Sequence, residues 1–353
     1  MKLLFITQKL HGQDAFGVLW VEALQKQGYD VTVLCLESRP EDVLRVLKRT
    51  TPLSFPVYSL GKERGKGKIA QIFTFLRLIH TLSYDRVFIH MSPVWGIFGA
   101  PVWMARRTPV YLWYTHYKMQ LGLWMLGRYA KRLFCATSQS LPQYEGNPKK
   151  VVVGHGIDLT FWLKRENVST DPKRLLVVHR LSRSKRVEII LRAMVLLPGF
   201  SLDVYGVEAE SAYVQELKAL VQELALGERV TFHGTVPLSE LPALFTHHRL
   251  ILNMASETID KTMLEAMTCG CYPVVTARNA AAIGLRIDAE RFGRQVGVPV
   301  APKEDVPEAI ADVVRLYAEK PPMNGEEMYR VVSERHSLAN LITKMDRYIR
   351  PGE

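Results

Sequence analysis

Cysteine is scarce: four in 353 residues, at Cys35, Cys135, Cys269 and Cys271. They are too few and too scattered for a disulfide framework. Cys269 and Cys271 form C-x-C rather than the C-x-x-C of common zinc and redox sites, so a reduced, cytosolic protein is expected. Long apolar runs are also missing. The longest, Val94 to Ala105, is about twelve residues and contains Pro101, which is too short to span a bilayer. The opening MKLLFITQKL lacks the apolar core and cleavage site of a signal peptide and reads as a first strand. No helix-turn-helix, finger or RNP pattern is present, which argues against nucleic acid as a partner. No Asp-x-Asp pair offers the usual metal bridge to phosphates, so no metal is expected.

Acidic residues are few in one half of the chain. Residues 1–165 carry 23 Lys and Arg against 10 Asp and Glu, and the remainder 23 against 25, for a net charge of +11. Between Val43 and Arg132 the only acids are Glu63 and Asp85, while Phe73, Phe75, Trp95, Trp103, Trp113 and Trp124 are interleaved with the cations. This pattern suits an anionic partner, either lipid headgroups or a phosphate-bearing acceptor. It is also the pattern of a solvated surface that keeps a protein soluble.

What is present is an alternation of short apolar runs with helical spacing. KLLFIT, DVTVLCL, DRVFIHM, PVYLWYT and RLFCATS read as buried parallel strands, and GVLWVEALQKQG as a helix ending at Gly28. The pattern then restarts. RLLVVHR, FSLDVYG, RVTFHG, RLILNM and CYPVVTA read as strands, with helices VEIILRAMVLL, AYVQELKALVQELAL and SELPALFTHH between them. The fold class expected is α/β, with two Rossmann-like doubly wound domains facing a cleft lined by strand carboxyl ends. Gly, Asp and Pro cluster in GHGIDLTFWLKRENVSTDPK, which places the domains at 1–165 and 166–336. A last helix at 337–350 is expected to pack back on the first domain.

Two stretches carry chemistry. In VVHRLSRSK, Arg180 and Lys185 follow directly on a strand, where a fork and a point charge can hold a diphosphate without metal. Arg183 and Arg186 stand nearby, and an exposed basic loop is the simpler alternative. In SETIDKTMLEAM, Asp260 is placed to cap a helix from about Lys261 to Cys269, with Gly270 as its stop. The amides of Lys261 and Thr262 make an anion site. Glu265 then lies a turn deeper, suited to two sugar hydroxyls, in a stretch so apolar that its partner is not evident from its neighbours. Glu257, on the approach loop, suits the hydroxyls of a second sugar. Each acid alone also fits a structural role, Glu257 beside a helix dipole and Glu265 satisfied by a backbone group or an arginine. GKERGKGK evokes a phosphate-binding loop, but its glycine spacing is one residue too long and no Ser or Thr follows Lys68.

Together these residues carry a resemblance. Glu257, seven residues, Glu265 and then AMTCGCYPVV resemble the E-x7-E signature of retaining GT-B glycosyltransferases, family 4 in particular. GHGID at 154–158 resembles that family's N-G-V-D, HRLSRSK its G-R-L-x-x-x-K, and RVTFHGTVPLSELPALF its segment leading into the donor site. The resemblance implies that Arg180 and Lys185 bind the donor diphosphate, Glu265 the ribose and Glu257 the transferred sugar. It also implies that His116, in WYTHYK, lines the reaction centre and that Gly12 to Gly17 face the donor. The first domain would then hold the acceptor and the second the donor. The chain departs from the family at Gln13, Asp14 and Ala15 between those glycines, at Thr258 to Lys261 between the acids, and at His179 where glycine usually precedes the arginine.

The activity implied is metal-independent transfer of a hexose from a UDP- or GDP-linked sugar to a hydroxyl acceptor, in cell-envelope polysaccharide or lipid-linked glycan synthesis. The nucleotide sugar is a substrate, and no cofactor is expected. The charge of the first domain adds a lipid-linked acceptor and peripheral contact with an anionic membrane on its cytoplasmic face. A nucleotide-sugar epimerase on the same architecture, and a non-catalytic binder of anionic ligands, are the rival readings.

Overall fold

The computed structural model describes residues 1–11, 16–47, 49–116, 118–163, 170–255, 259–285 and 307–350. Two compact units emerge, Met1–Asp158 with His336–Glu353, and Leu159–Arg335.

The first unit is built on a seven-stranded sheet. Its strands are β1 (Lys2–Leu10), β2 (Asp30–Ser38), β3 (Val57–Ser59), β4 (Arg86–His90), β5 (Val110–Trp113), β6 (Arg132–Cys135) and β7 (Lys150–Val152). They run in the order β3-β2-β1-β4-β5-β6-β7, every pairing parallel. Strands buried on both faces explain why β1, β4, β5 and β6 are apolar without alternation. Helices α1 (Phe16–Lys26), α2 (Pro40–Val46), α3 (Lys68–Thr81), α4 (Val94–Ala105) and α5 (Leu121–Tyr129) connect them. Phe75 of α3 packs on Trp95 and Trp103 of α4, at ring-centroid distances of 4.8 and 6.1 Å. Glycines bring α4 and α5 together. A Cβ at Gly122 would come within 2.5 Å of the Pro93 carbonyl oxygen, and one at Gly96 within 2.5 Å of Leu126 Cγ.

The second unit carries β8 (Asp171–Val178), β9 (Ser201–Tyr205), β10 (Val230–Gly234), β11 (His248–Asn253) and β12 (Tyr272–Val275) in the order β10-β9-β8-β11-β12, again parallel. Its helices are α6 (Val187–Val195), α7 (Ser211–Glu223), α8 (Leu241–His247), α9 (Lys261–Thr268), α10 (Ala277–Ile283), α11 (Pro307–Glu319) and α12 (Gly325–His336). SELPALFTHH, expected as one helix, divides into a 3-10 turn at Leu238–Glu240 and α8. Pro242 lies in the first turn of α8, where its missing amide costs nothing. A buried polar cluster ties the sheet together. Asp203 of β9 accepts from Arg174 of β8 at 2.5 Å, from His233 of β10 at 2.6 Å and from His248 of β11 at 3.2 Å.

The final helix, α13 (Leu338–Ile349), belongs to the first unit. Its buried stripe of Leu338, Leu341, Ile342, Met345 and Ile349 follows helical spacing. Tyr29, just after α1, donates to Asp346 at 2.5 Å. Ser337 caps the helix by accepting from the Asn340 amide.

Candidate active site

In the second unit the strand order reverses direction between β8 and β11. Ligands of open α/β sheets sit outside the strand carboxyl ends at such a point. Both chemistry-bearing stretches converge there. Arg180 and Lys185 follow β8, and Asp260 with α9 follows β11.

The centre of the cluster is an ion pair between residues far apart in sequence. Lys185 Nζ lies 2.5 Å from Asp260 Oδ1, and Asp260 Oδ2 accepts from Asn253 Nδ2 at 2.5 Å. Asn253 is the last residue of β11, and its own Oδ1 accepts from the Ala255 amide at 2.9 Å. Burial opposes ionisation of Asp260, but Lys185 beside it holds the carboxyl below its usual value. This corrects one expectation. Asp260 occupies the N-cap position of α9 with extended backbone, but its side chain accepts no helix amide. A buried ammonium outbids the helix end for that carboxylate. Lys185 is correspondingly buried and already paired, not a solvated lysine.

Glu265 is buried in α9, and its partner is Lys261, one turn back, with Nζ 3.5 Å from Oε1. The partner expected elsewhere is therefore a near neighbour. Burial raises the carboxyl pKa, with Lys261 opposing the shift. Thr262 lies half-buried in the first turn of α9 beside Lys261. Arg180 is exposed, whereas Arg183 is drawn to Glu216 at 2.5 Å.

His179 is a residue whose chemistry the sequence left unassigned. It is buried between β8 and Arg180, with Nδ1 3.1 Å from the Arg180 carbonyl oxygen and Nε2 lacking a hydrogen-bond partner. Burial lowers its pKa to about 4, so the ring is neutral at pH 7 despite the attraction of Asp260. The backbone at Gly206 closes so tightly on the His179 carbonyl that no Cβ fits there.

Four expected site residues lie elsewhere or beyond description. His116, in the first unit, is exposed just after β5, its ring edge-on to Tyr114 at 5.4 Å. Gly17 lies in the first turn of α1, where a Cβ would come 3.2 Å from Leu10 Cδ1. Gly12 and Glu257 lie outside the described residues.

Two parallel Rossmann-like sheets in succession are the architecture of the GT-B class of glycosyltransferases. The family "Glycosyl transferases group 1" matches residues 159–332 and "Glycosyltransferase Family 4" residues 18–161. The chain belongs to this family of glycosyltransferases. D-inositol 3-phosphate glycosyltransferase of Mycobacterium marinum is 30% identical over 193 residues, 50% of this chain and 38% of that protein. The match therefore spans well under half of that relative's length. Among solved structures, Anabaena Alr3699/HepE in complex with UDP and glucose superposes with a TM-score of 0.75 at 17% identity, covering 98% of each chain. Sucrose-phosphate synthase of Thermosynechococcus elongatus gives 0.72 at 16% identity, with 98% of each chain covered. At these identities the likeness is one of fold.

Proposed function

We propose that the protein is a retaining glycosyltransferase that moves a hexose from a UDP- or GDP-linked sugar to a hydroxyl acceptor, without metal. The observation that carries this reading is the convergence of Arg180, Lys185 and the N-terminus of α9 with buried Glu265 at the switch point of the second sheet. The names of the similar proteins are in keeping with it, since one is a glycosyltransferase and another was solved with UDP and glucose.

Arg180, Lys185 and the amides of Lys261 and Thr262 take the diphosphate. Glu265 accepts the ribose hydroxyls, Glu257 those of the transferred sugar, and Gly12 and Gly17, the latter in the first turn of α1, face the donor. His116 lines the reaction centre. As the bond from the anomeric carbon to the diphosphate oxygen breaks, the acceptor oxygen bonds to the same face of that carbon. The acceptor proton passes to the departing phosphate. Fixed donors aimed at the leaving charge each contribute about 3 kcal/mol to such a step. The Lys185–Asp260 pair has to loosen as phosphate arrives, because one ammonium cannot fully serve both anions. The residues around the first unit hold the acceptor, a lipid-linked one in envelope glycan synthesis, with the enzyme at the cytoplasmic face of the membrane.

The test is a thermal-shift panel of UDP, GDP, ADP, TDP and their sugar conjugates, with and without EDTA. A ligand at 100 times its dissociation constant stabilises by about 2.7 kcal/mol. One base should raise the melting temperature, unaffected by EDTA, and the rise should vanish in Glu265→Ala. Silence across the panel would rule the transferase out in favour of a protein that binds other anions.

A further inference from the structure

Helix α4 has the sequence VWGIFGAPVWMA, without one polar side chain, yet it lies at the surface of the first unit. Trp95, Gly96, Gly99, Ala100 and Trp103 are buried, the two tryptophans on Phe75 of α3 and Gly96 against Leu126 of α5. The opposite face runs through Val94, Pro101 and Met104, all exposed, with Ile97 and Phe98 half-buried between them. A surface helix ordinarily turns charge to water on that side. Here both neighbours continue the apolar face. On α3, Ile69 and Phe73, one turn apart, are 73% and 69% exposed. On α5, Leu121 is 66% and Trp124 45% exposed. Helix α4 packs against both, so three neighbouring helices each carry exposed apolar side chains.

Their rim is of one sign. From Lys62 to Arg132 the sequence has twelve Lys and Arg against two acids. Both acids already have partners. Glu63 turns inward to accept from Ser59 Oγ at 2.7 Å, and Asp85 binds the Lys2 amide at 2.8 Å, before β4 begins. The exposed cations sit beside the apolar positions, with Lys68 preceding Ile69, Arg106 and Arg107 following α4, and Arg128 lying 3.9 Å from the Trp124 ring centre.

We infer that the outer face of α3, α4 and α5 docks on an anionic lipid bilayer, its apolar residues entering the headgroup boundary and its cations pairing with lipid phosphates. Helix α4 is about 18 Å long, against about 30 Å of hydrocarbon, so it lies in the interface and does not span. Charge decides against a second copy of the chain as occupant. A two-fold contact would set this basic rim against itself. The aliphatic centre likewise suits lipid better than nucleic acid, which stacks on aromatic rings. The inference extends the membrane contact proposed above to a particular surface, but it stands on the first unit alone and does not depend on sugar transfer.

The experiment is co-sedimentation with phosphatidylcholine vesicles, alone or with a quarter phosphatidylglycerol, at low and high salt. Wild type should bind the anionic vesicles, and salt should weaken binding without abolishing it. A variant carrying Ile69→Ser, Phe73→Ser, Met104→Ser and Leu121→Ser keeps its charge and should bind about tenfold or more weakly, with its melting temperature and nucleotide response retained. Equal binding by that variant would reduce the contact to charge alone and overturn the inference, as would absence of wild-type binding. A wild-type dimer that the variant converts to monomer would also overturn it. Should the variant misfold, quenching by bromine-labelled lipid in the native protein gives the same answer, and Trp124→Phe should lose a large part of it. A chain that binds vesicles but no nucleotide would remove the transferase reading and leave this surface intact.

Discussion

Lys185 and Asp260, 75 positions apart, form a buried ion pair at 2.5 Å, supported from behind by Asn253. Within the family resemblance, Asp260 falls in the segment between the two acids where this chain departs, so the pair is a feature of this sequence. Removing one partner of such a pair leaves an uncompensated buried charge.

Asp260→Asn should therefore lower stability by about 3 kcal/mol. It should also tighten nucleotide-sugar binding on the order of tenfold, because a negative charge leaves the phosphate site. Thermal melts and titration calorimetry on the same preparation check both signs. A variant less stable and also weaker in binding would mean that Asp260 positions Lys185 for phosphate.

Glu265→Gln should separate stability from binding in the other direction. The carboxyl is buried and its pKa is raised, so its contribution to stability is present at low pH and fades as pH rises through the folded value. A neutral amide should melt higher at pH 8 by about 1 kcal/mol, while the stabilisation by nucleotide disappears. Melting curves at pH 5 and pH 8, with and without nucleotide, give the four values needed.

His179 predicts acid sensitivity. Its pKa falls from about 6.5 in the unfolded chain to about 4 in the folded one. The unfolded chain then binds a proton that the folded one refuses. Stability should fall as pH drops from 6.5 towards 4 and level off below, by about 3 kcal/mol in all. His179→Gln should flatten that part of the profile in urea unfolding across pH.

Asp203 acts at lower pH. Burial raises its pKa, but Arg174, His233 and His248 outweigh that and hold it at about 2. The group should support the fold above its unfolded value near 3.9, and this support should be lost as pH falls towards 2. Asp203→Asn should cost about 3 kcal/mol at pH 7, since buried His248 and the Arg174 guanidinium lose their shared acceptor. Chemical denaturation at neutral pH measures that cost.

Much of the architecture was legible because parallel strands buried on both faces write themselves as unbroken apolar runs. FSLDVYG, RVTFHG and CYPVVTA each contain the strand observed, and RLILNM all but its first residue, His248. Strands β3 and β7, three residues apiece, carry too little pattern to be seen. At the site, sequence placed Arg180, Lys185, Asp260 and Glu265 of α9 beyond strand ends. It could not show that Lys185 already has a carboxylate, because ion pairs across 75 residues leave no local trace. The Lys261–Glu265 contact was missed although its trace was local: the four-residue spacing brings the two side chains to one helix face. VWGIFGAPVWMA was visible only as a run too short to span, since periodicity says nothing when every position is apolar.

The return of α13 to the first unit has a consequence for biosynthesis. The first unit combines Met1–Asp158 with His336–Glu353, and Leu159–Arg335 lies between them in sequence like an inserted module. On the ribosome, the first sheet has its described strands by Val152 and the second by Val275, whereas α1 waits for its covering helix until Ile349 has been made. The described strands of the second sheet are thus all made before the first unit can cover α1, and the nascent first unit spends that interval with one flank uncovered.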